Sequence, residues 1–481
     1  MKIESIDIEA TVNKAREMIK HEKGLSPAFI SVIELLLMIV TLMANRLNSK
    51  NSSKPPSTDP NRKKKKKQNP DGKKPGGQKG HMGKTLMPVA KPDAVVPLLL
   101  DKSNLPPGEY REVGFETRQV VDLKITRYVT EYQSQVLEDI SGKRYVAAFP
   151  EGVDRHVQYG AGLKAHAIYL SQHQLIPYER ISEYFRDQAE IPVSAGSIFN
   201  FNKEAFNALE AFNEIVKAKL AASPVCHADE TGINMNGIRF WLHCLSNADA
   251  TYFYPHEKRG GKAIDEMGVL PIFQGVLCHD HWKPYFNYNC LHALCNAHHL
   301  RELERAEEQD DQQWAKDLKI LLLEINTAVD QHGGQLLPDL SASFKARYRA
   351  ILEKGHIECP PPDETKKEKG KRGRLKRSKA RNLLERLENF EQETLRFMED
   401  PLVPFTNNQG ESDIRMTKVH QKISGCFRSM TGARMFCRIR SYLSTCRKNN
   451  VHASEALRLL LAGELPSFLT VIQSVGCRQA E

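Results

Sequence analysis

The stretch PVCHADETGI, residues 224–233, opens the part of the chain whose pattern decides the fold. Further apolar runs rich in β-branched and aromatic residues follow it, namely residues 238–246, 250–256 and 269–285, and a short run at 292–296. Runs of this kind, bounded by turn residues, predict β-strands. Helical periodicity precedes and follows them. We therefore predict an α/β fold in which helices flank a mixed sheet.

Three acids stand out by their position in these predicted elements. Asp229 ends the first predicted strand, Asp280 ends a later one, and Glu411 lies near the start of a predicted helix, 51 and then 131 residues further along. Two-metal phosphoryl transfer uses a small cluster of carboxylates, because hard divalent cations prefer oxygen ligands. Spacing by itself is weak support for such a cluster, since the chain has 59 acids.

Local geometry separates these acids from their neighbours. Glu230 follows Asp229 in a strand, so its side chain is expected on the opposite face. Asp413 lies two positions beyond Glu411 on a helix, roughly 200° around the axis. Neither neighbour is therefore expected to share a metal ion with the acid beside it.

The segment NNQGESDIRMTKVHQKISGCFRS, residues 407–429, has two interpretations. Asn408 and Glu411 have the spacing of a capping box, which would make Glu411 a helix-start signal. Alternatively, Glu411 is a metal ligand and the basic residues after it hold a polyanion. Arg415 and Lys418 share the helix face of Glu411. The 34 residues that begin at Arg415 contain nine basic residues and no acid, as a surface facing nucleic acid requires.

Positive charge is concentrated in two tracts. The formal net charge is +10, and residues 50–84 contain 12 basic and two acidic residues, while residues 366–381 contain ten and one. The remainder of the chain is therefore net negative. Such concentration favours a polyanionic partner, although solvated lysine-rich loops remain the alternative for either tract taken alone.

Cysteine use and hydropathy narrow the class of protein. The ten cysteines all follow residue 225 and form no CxxC pair, and no secretory signal opens the chain, a pattern typical of reduced thiols in a cytosolic protein. The apolar stretch at residues 28–44 is at the lower limit for a membrane span and contains Glu34. Its apolar residues also fit a heptad seam, which favours a dimerising or packing helix: Phe29, Ile33, Leu36, Val40, Met43 and Leu47.

A pair of predicted helices precedes the strands. The pattern of residues 176–206 predicts a helix from Tyr178 to about Gln188, a short turn, and a second helix capped by Ser194. The spacing is compatible with a helix-turn-helix that reads DNA. An ordinary pair of core helices has the same spacing, so both interpretations stay open.

The chain contains seven motifs in a set order: NSSKPPSTDP (51–60), GGQKGHMG (76–83), IPYERISEYF (176–185), HADETGI (227–233), GVLCHDHWKPY (275–285), LCNAHHLREL (294–303) and NNQGESDIRMTKVHQKISGCFRS (407–429). Together they resemble bacterial transposases of the insertion sequence 66 family, within the wider group that has an RNase H-like core and a DDE triad. The resemblance covers nearly the whole chain.

The resemblance implies a metal-dependent DNA endonuclease and strand transferase. It makes Asp229, Asp280 and Glu411 the catalytic residues and the ligands of two Mg²⁺ ions, for which Mn²⁺ can substitute. The implied partners are the terminal inverted repeats of the element, target DNA, and further copies of this chain as a dimer or higher oligomer. Accessory proteins of the same element are left open, no membrane is expected, and the location is cytoplasmic at the nucleoid.

Residues that contact DNA or support the site are also implied. Lys418 matches a DNA-contacting basic residue of such cores. Cys295 and His298 match a Cys-x-x-His element after the second aspartate and are candidate supporting residues. Further DNA contacts are expected from Arg415, Lys422, Arg428, Lys63, Lys64, Lys65, Lys66 and Lys67. Relatives commonly carry cysteine pairs between the linker and the core, but this chain has no cysteine before Cys226, which excludes cysteine-ligated zinc there.

The implied domain organisation has six parts. They are a helical, coiled-coil-like oligomerisation region (1–49), a flexible basic linker (50–90), a small β-rich region (91–155), a helical, helix-turn-helix-like region (156–220), the RNase H-like catalytic core with a helical insertion at about 298–400 (221–465), and a tail (466–481).

Several alternatives remain at the level of sequence. Cys290, His292, Cys295 and His298 are close enough in the chain for a zinc site, although their spacings fit no common finger and buried thiols are the other interpretation. Trp241 and Trp282 are core or sheet-edge aromatics, or they stack on bases. An RNase H-like nuclease or resolvase without strand transfer, and a captured non-catalytic DNA-binding regulator, are the alternative functions.

Overall fold

The structure is a computed structural model, and it describes residues 2–3, 6–22, 24–46, 86–362, 375 and 377–469. Its strands are β1 (Lys2–Ile3), β2 (Ile6–Asp7), β3 (Val136–Glu138), β4 (Arg144–Val146), β5 (Val225–Met235), β6 (Ile238–Ser246), β7 (Thr251–His256), β8 (Val276–His279) and β9 (Leu291–Leu294). Its helices are α1 (Ile8–His21), α2 (Pro27–Arg46), α3 (Ala161–Ile168), α4 (Tyr178–Ala189), α5 (Ala195–Ala208), α6 (Glu210–Ala221), α7 (Gly261–Met267), α8 (Asn296–Asp310), α9 (Gln313–Gln331), α10 (Pro338–Glu358), α11 (Lys379–Asn389), α12 (Glu391–Leu395), α13 (Asn408–Ser424), α14 (Met430–Lys448) and α15 (Ala453–Leu461).

A five-stranded mixed sheet with the strand order β7-β6-β5-β8-β9 organises the fold. The strand β5 pairs antiparallel with β6, which pairs antiparallel with β7. On its other side β5 pairs parallel with β8, which pairs parallel with β9. The predicted α/β core, a mixed sheet flanked by helices, is confirmed.

One face of this sheet is covered by two groups of helices. Over β5, β6 and β7, a hydrophobic cluster joins sheet residues such as Ile233 and Leu242 to Ile414 of α13 and Phe436 of α14. Over β8 and β9, the helices α8 to α12 pack around the fully buried Trp314. These helices occupy the span that was predicted as a helical insertion. The two groups of helices meet over the sheet where β5 adjoins β8, and this boundary is called the seam below.

The opposite face is covered by α3 to α6, with α15 packed beside them. A single hydrophobic cluster joins Ile198 and Phe212 of these helices to Ala228, Leu245 and Leu277 of the sheet. The helix pair α4 and α5 begins and ends close to its predicted bounds, and the Ser194 hydroxyl accepts a hydrogen bond from the Ser197 amide as predicted. One hydrophobic cluster therefore spans these helices and this face of the sheet.

The edge strand β7 is protected by α14. The Ser441 hydroxyl accepts a hydrogen bond from the Phe253 amide at 2.9 Å, and the Thr445 hydroxyl accepts one from the Thr251 amide at 3.1 Å. Because side chains of α14 satisfy these backbone groups, this edge is not open to another strand.

The small β-rich region expected at residues 91–155 contains little β-structure. The structure forms one hairpin there, β3 with β4, and the segment of alternating polar and apolar residues before this hairpin is irregular. Its apolar side chains, such as Val120 and Tyr128, are 93% and 90% exposed. Alternation produces a strand only when a partner strand and a buried face are present, and neither is present here for the described residues.

In the part of the chain that the structure describes, no helix is long and apolar enough to cross a membrane.

Candidate active site

The register of β5 with β8 brings Asp229 next to Asp280. The two strands pair His227 with Cys278, and each acid lies two residues further along its strand. Side chains two residues apart point to the same face, so both acids lie on the face with the seam. The prediction that Asp229 ends a strand is wrong, because β5 continues to Met235 along its antiparallel partner β6. The prediction for Asp280 is correct, since β8 ends one residue earlier.

Asn407 attaches the start of α13 to the same place on the sheet. Its side-chain oxygen accepts a hydrogen bond from His227 Nδ1 at 2.8 Å, and its side-chain nitrogen donates to the Ala228 carbonyl at 2.8 Å. Its backbone amide donates to Cys295 Sγ at 3.1 Å. A Cβ atom on Gly410 would lie 3.0 Å from the Asn407 side-chain oxygen, so glycine leaves the room that this side chain needs. The result is that Glu411, one turn into the helix, lies near enough to Asp229 for its charge to act on that acid.

The capping-box interpretation of Glu411 is wrong. The helix begins at Asn408, and the residue at its cap position, Asn407, makes no side-chain cap because that side chain binds the strand instead. The Glu411 Oε1 atom is buried and has no hydrogen-bond partner among the described residues. It lies 3.8 Å from His298 Nδ1, which is also buried and without a partner among them.

The carboxylates interact electrostatically. Burial, followed by the negative charges of Glu230 and Asp280, raises the pKa of Asp229 to about 8, and Glu411 adds to the effect. Carboxylates that raise each other's pKa in a buried place need either protons or a cation. The side chains of Asp229 and Asp280 offer carboxylate oxygens from adjacent strands. This pair therefore offers ligands of the kind that a hard divalent cation such as Mg²⁺ prefers.

The neighbouring acids are occupied elsewhere. Asp413 forms an ion pair with Lys448 at 2.7 Å, which agrees with its predicted exclusion from the site. Glu230 is buried on the opposite face, where it accepts hydrogen bonds from Arg259 at 2.9 Å and from the Tyr285 hydroxyl at 2.6 Å.

The two tryptophans of the sequence analysis flank this arginine. Trp241 and Trp282 lie on Arg259 with 4.8 and 4.6 Å between the guanidinium carbon and the ring centres. They are half-buried and act as a clamp for an arginine. Sequence reasoning missed Arg259, Tyr285 and Asn407. Asn407 and Tyr285 carried a signal, because they belong to the motifs at 407–429 and 275–285, whereas Arg259 lies outside every motif.

The proposed four-residue zinc cluster does not form. Cys295 and His298 face Glu411, and ligand atoms of these three residues all lie within 4.8 Å of one another. Cys290 instead lies 4.0 Å from His292 Nε2, and His292 Nδ1 is 3.1 Å from His279 Nε2. Cys290 precedes the strand β9 and Cys295 follows it, so the strand separates the two groups of side chains.

The basic residues predicted on α13 and just after it are exposed. They are Arg415, Lys418, Lys422 and Arg428. Lys418 Nζ donates to the Gly232 carbonyl at 2.9 Å, which places this ammonium group over β5, three residues from Asp229. Partial burial of its ammonium group, and then the charge of Arg239, lowers the pKa of Lys418. The lysines expected in the linker, Lys63 to Lys67, lie outside the described residues.

Comparison with protein families decides what this site belongs to. The family described as "Transposase IS66 family" matches residues 156–435, which is more than half of the chain and includes all three acids. The chain belongs to the IS66 transposase family. The substrate of this transposase is accordingly DNA, and its family uses divalent metal ions.

A second match and one negative result complete the comparison. Residues 42–86 of the IS66 transposase match a family of unknown function, DUF6444. A search of curated proteins found no match. The first match ends inside α14, so α15 and the helices and hairpin before residue 156 lie outside the transposase family match.

Proposed function

We propose that this transposase binds the terminal inverted repeats of its insertion sequence and catalyses DNA cleavage and strand transfer with Asp229, Asp280 and Glu411. The observation that supports the proposal is that Asp229 and Asp280 lie on adjacent strands on one face of the sheet, with Glu411 near enough for its charge to raise the pKa of Asp229. The proposal includes an RNase H-like relationship of the sheet, two Mg²⁺ ions that Mn²⁺ can replace, and action at the nucleoid in the cytoplasm.

The proposed reaction consists of two displacements at phosphorus. In the first, water attacks the phosphodiester at the element end, and the bond from phosphorus to the 3′ oxygen breaks to leave a 3′-hydroxyl. In the second, this hydroxyl attacks a target phosphodiester and releases the 3′ oxygen of the target strand. Divalent ions would supply activation of the attacking oxygen and stabilisation of the leaving oxygen.

The residues of the chain supply position and charge. Asp229 and Asp280 offer carboxylate oxygens from adjacent strands, and Asn407 attaches the start of the helix that carries Glu411 to one of these strands. Such rigid placement lowers the entropic cost of bringing reacting groups together. Lys418 would neutralise phosphate beside the acids, and Arg415, Lys422 and Arg428 would extend the contact along the DNA backbone. The lysines at 63–67 would add a second, sequence-independent contact.

Oligomerisation through α2 is part of the proposal. Of the heptad seam, Phe29, Leu36 and Val40 are 52%, 55% and 43% exposed, and Ile33 is half-buried. The side chains of Met43 and Leu47 are outside the described residues. An exposed apolar stripe of this kind is stabilised by packing against a second copy.

The decisive experiment is end cleavage and joining with Mg²⁺ or Mn²⁺ for Asp280→Asn. This variant keeps the side-chain oxygen that accepts the Trp282 amide at 3.1 Å. We expect activity to fall by about a thousandfold or more, because removal of one member of a catalytic unit costs nearly as much as removal of all. We expect the metal-free protein to be as stable as the parent or more stable, because one repelling charge is gone.

The control is Asp339→Asn, at an exposed acid in the first turn of α10. It should leave both cleavage and stability unchanged. Equal activity of Asp280→Asn and the parent would remove Asp280 from the mechanism. Cleavage without joining in the parent would instead support the nuclease or resolvase alternative, and DNA binding without either would support the non-catalytic regulator.

A further inference from the structure

Three residues beside the carboxylate pair form a donor set of a different chemical kind. Cys295 is the residue before α8, His298 lies in its first turn, and Glu411 reaches them from α13. Their ligand atoms all lie within 4.8 Å of one another. A tetrahedral zinc site with bonds of about 2.0–2.3 Å places its ligand atoms roughly 3.3–3.8 Å apart, which small side-chain movements would achieve here.

We propose that Cys295, His298 and Glu411 form a site for a thiophilic cation such as Zn²⁺, and that this site shares Glu411 with the carboxylate cluster. The site leaves one coordination position for water or for substrate, as zinc sites with three protein ligands do. The effect of the bound cation on DNA cleavage rests on the proposed function, whereas binding of the cation to these three residues is independent of it.

One backbone amide is directed at the sulfur of this donor set. The Asn407 amide donates to Cys295 Sγ at 3.1 Å. Burial raises the pKa of the Cys295 thiol, so the free protein holds it protonated and a metal ion would have to displace the proton. The Asn407 amide would then offset part of the charge of the metal-bound thiolate.

The other two ligand atoms lack alternative partners. Glu411 Oε1 and His298 Nδ1 are buried, 3.8 Å apart, and neither has a hydrogen-bond partner among the described residues. Buried polar atoms of this kind usually bind something. A cation between them would satisfy both. A direct hydrogen bond would require a closer approach than this distance provides.

The chemistry separates this donor set from the adjacent one. Mg²⁺ prefers the carboxylate oxygens of Asp229 and Asp280, whereas thiolate and imidazole select zinc-like ions. Glu411 belongs to both proposed donor sets. We therefore expect Zn²⁺ to withdraw this carboxylate from the Mg²⁺ cluster and to inhibit Mg²⁺-dependent cleavage.

The test uses Co²⁺ as an optical probe on the full chain. All proteins carry Cys426→Ser, because Cys426 is an exposed cysteine that would bind the probe elsewhere. We expect a sulfur-to-cobalt charge-transfer band that Zn²⁺ removes by competition. Cys295→Ser should abolish the band, and His298→Ala should weaken Co²⁺ binding by at least about tenfold. Cys290→Ser is the matched control, five residues earlier in the chain, and should keep the band.

Two measurements, the cobalt band and DNA cleavage, separate this inference from the proposed function. Asp280→Asn should keep the cobalt band while it loses cleavage, so a failure of the proposed function leaves the band intact. A band that survives Cys295→Ser, no band in the parent, or loss of the band in Cys290→Ser would each overturn the site. Since Cys295 is buried, His298→Ala decides the question if Cys295→Ser does not fold. Zn²⁺ should also inhibit cleavage by the parent at least about tenfold more strongly than cleavage by His298→Ala.

Discussion

Asp229 and Glu230 are consecutive acids with opposite environments. Asp229 lies on the seam face among other carboxylates, where burial and these charges raise its pKa to about 8. Glu230 lies on the other face, where its side chain is 1% exposed and an arginine neutralises it. The alternation of side chains along a strand creates this contrast between neighbours. One acid remains available to a cation, and the other acts in the packing of the sheet.

The ion pair of Glu230 with Arg259 provides a prediction at this scale. Arg259→Ala would leave a buried carboxylate with the Tyr285 hydroxyl as its remaining partner, and we expect the free energy of unfolding to fall by about 3 kcal/mol. Arg347→Ala is the matched control, because its pair with Glu324 has side chains that are 50% and 46% exposed. Removal of such a pair costs less than about 1 kcal/mol. Denaturant unfolding measures both, and equal losses would contradict the structural role of Glu230.

At the scale of elements, α13 determines whether the site is assembled. The strands place two acids by their register, but the third depends on how one helix end docks. Asn407 makes this contact through three hydrogen bonds, to β5 and to the residue before α8. The start of α13 therefore contacts both the sheet and the residue that precedes α8, one turn before Glu411.

Gly410→Ala tests this docking. Alanine raises helix propensity by about 1 kcal/mol, so the helix itself would gain. Its Cβ would however press on the Asn407 side-chain oxygen at 3.0 Å and displace the helix start. We expect cleavage to fall by about tenfold to a hundredfold, since a shift of about 1 Å in a reacting group has this effect.

The control is Gly432→Ala, because Gly432 is also the third residue of its helix, α14. There a Cβ would lie 3.5 Å from the Ser429 hydroxyl, which is an ordinary contact. This variant should keep parental cleavage. Full activity of Gly410→Ala would show that Glu411 does not depend on Asn407 for its position.

At the scale of the whole molecule, charge is divided between surface and site. The basic side chains of α13 and of the residues just after it are exposed at the surface, whereas the acids of the site are half-buried. The lysine-rich linker adds further positive charge elsewhere in the sequence. Each phosphate that a cation neutralises releases counterions, which makes binding depend on salt.

The salt dependence of DNA binding tests this division. For the triple variant Arg415→Gln, Lys422→Gln, Arg428→Gln we expect the slope of log affinity against log salt to become shallower by about 1 for each lost phosphate contact. Deletion of residues 61–74 should flatten it further and independently. The double variant Lys316→Gln, Lys354→Gln removes exposed lysines of α9 and α10 and should leave the slope unchanged. An unchanged slope in the triple variant would exclude α13 from the DNA path.

The sequence by itself determined most of the elements of the core and singled out three acids as candidate catalytic residues. Local periodicity encodes strands and helices, which is why β5 to β9, α4, α5 and α13 lie close to their predicted places. Motif order singled out Asp229, Asp280 and Glu411. The β-rich region expected at residues 91–155 formed only the hairpin of β3 and β4, because its other alternating residues had no partner strand to pair with.

Only the tertiary structure decided how these parts meet. It placed Asp229 in the middle of a strand, used Asn407 as a dock and not as a cap, clamped Arg259 between two tryptophans, and turned Cys295 and His298 toward Glu411. These contacts join residues that are distant in the chain, so no local pattern encodes them. They depend on strand register and on which helix faces find apolar surface to bury, and both are properties of the assembled core.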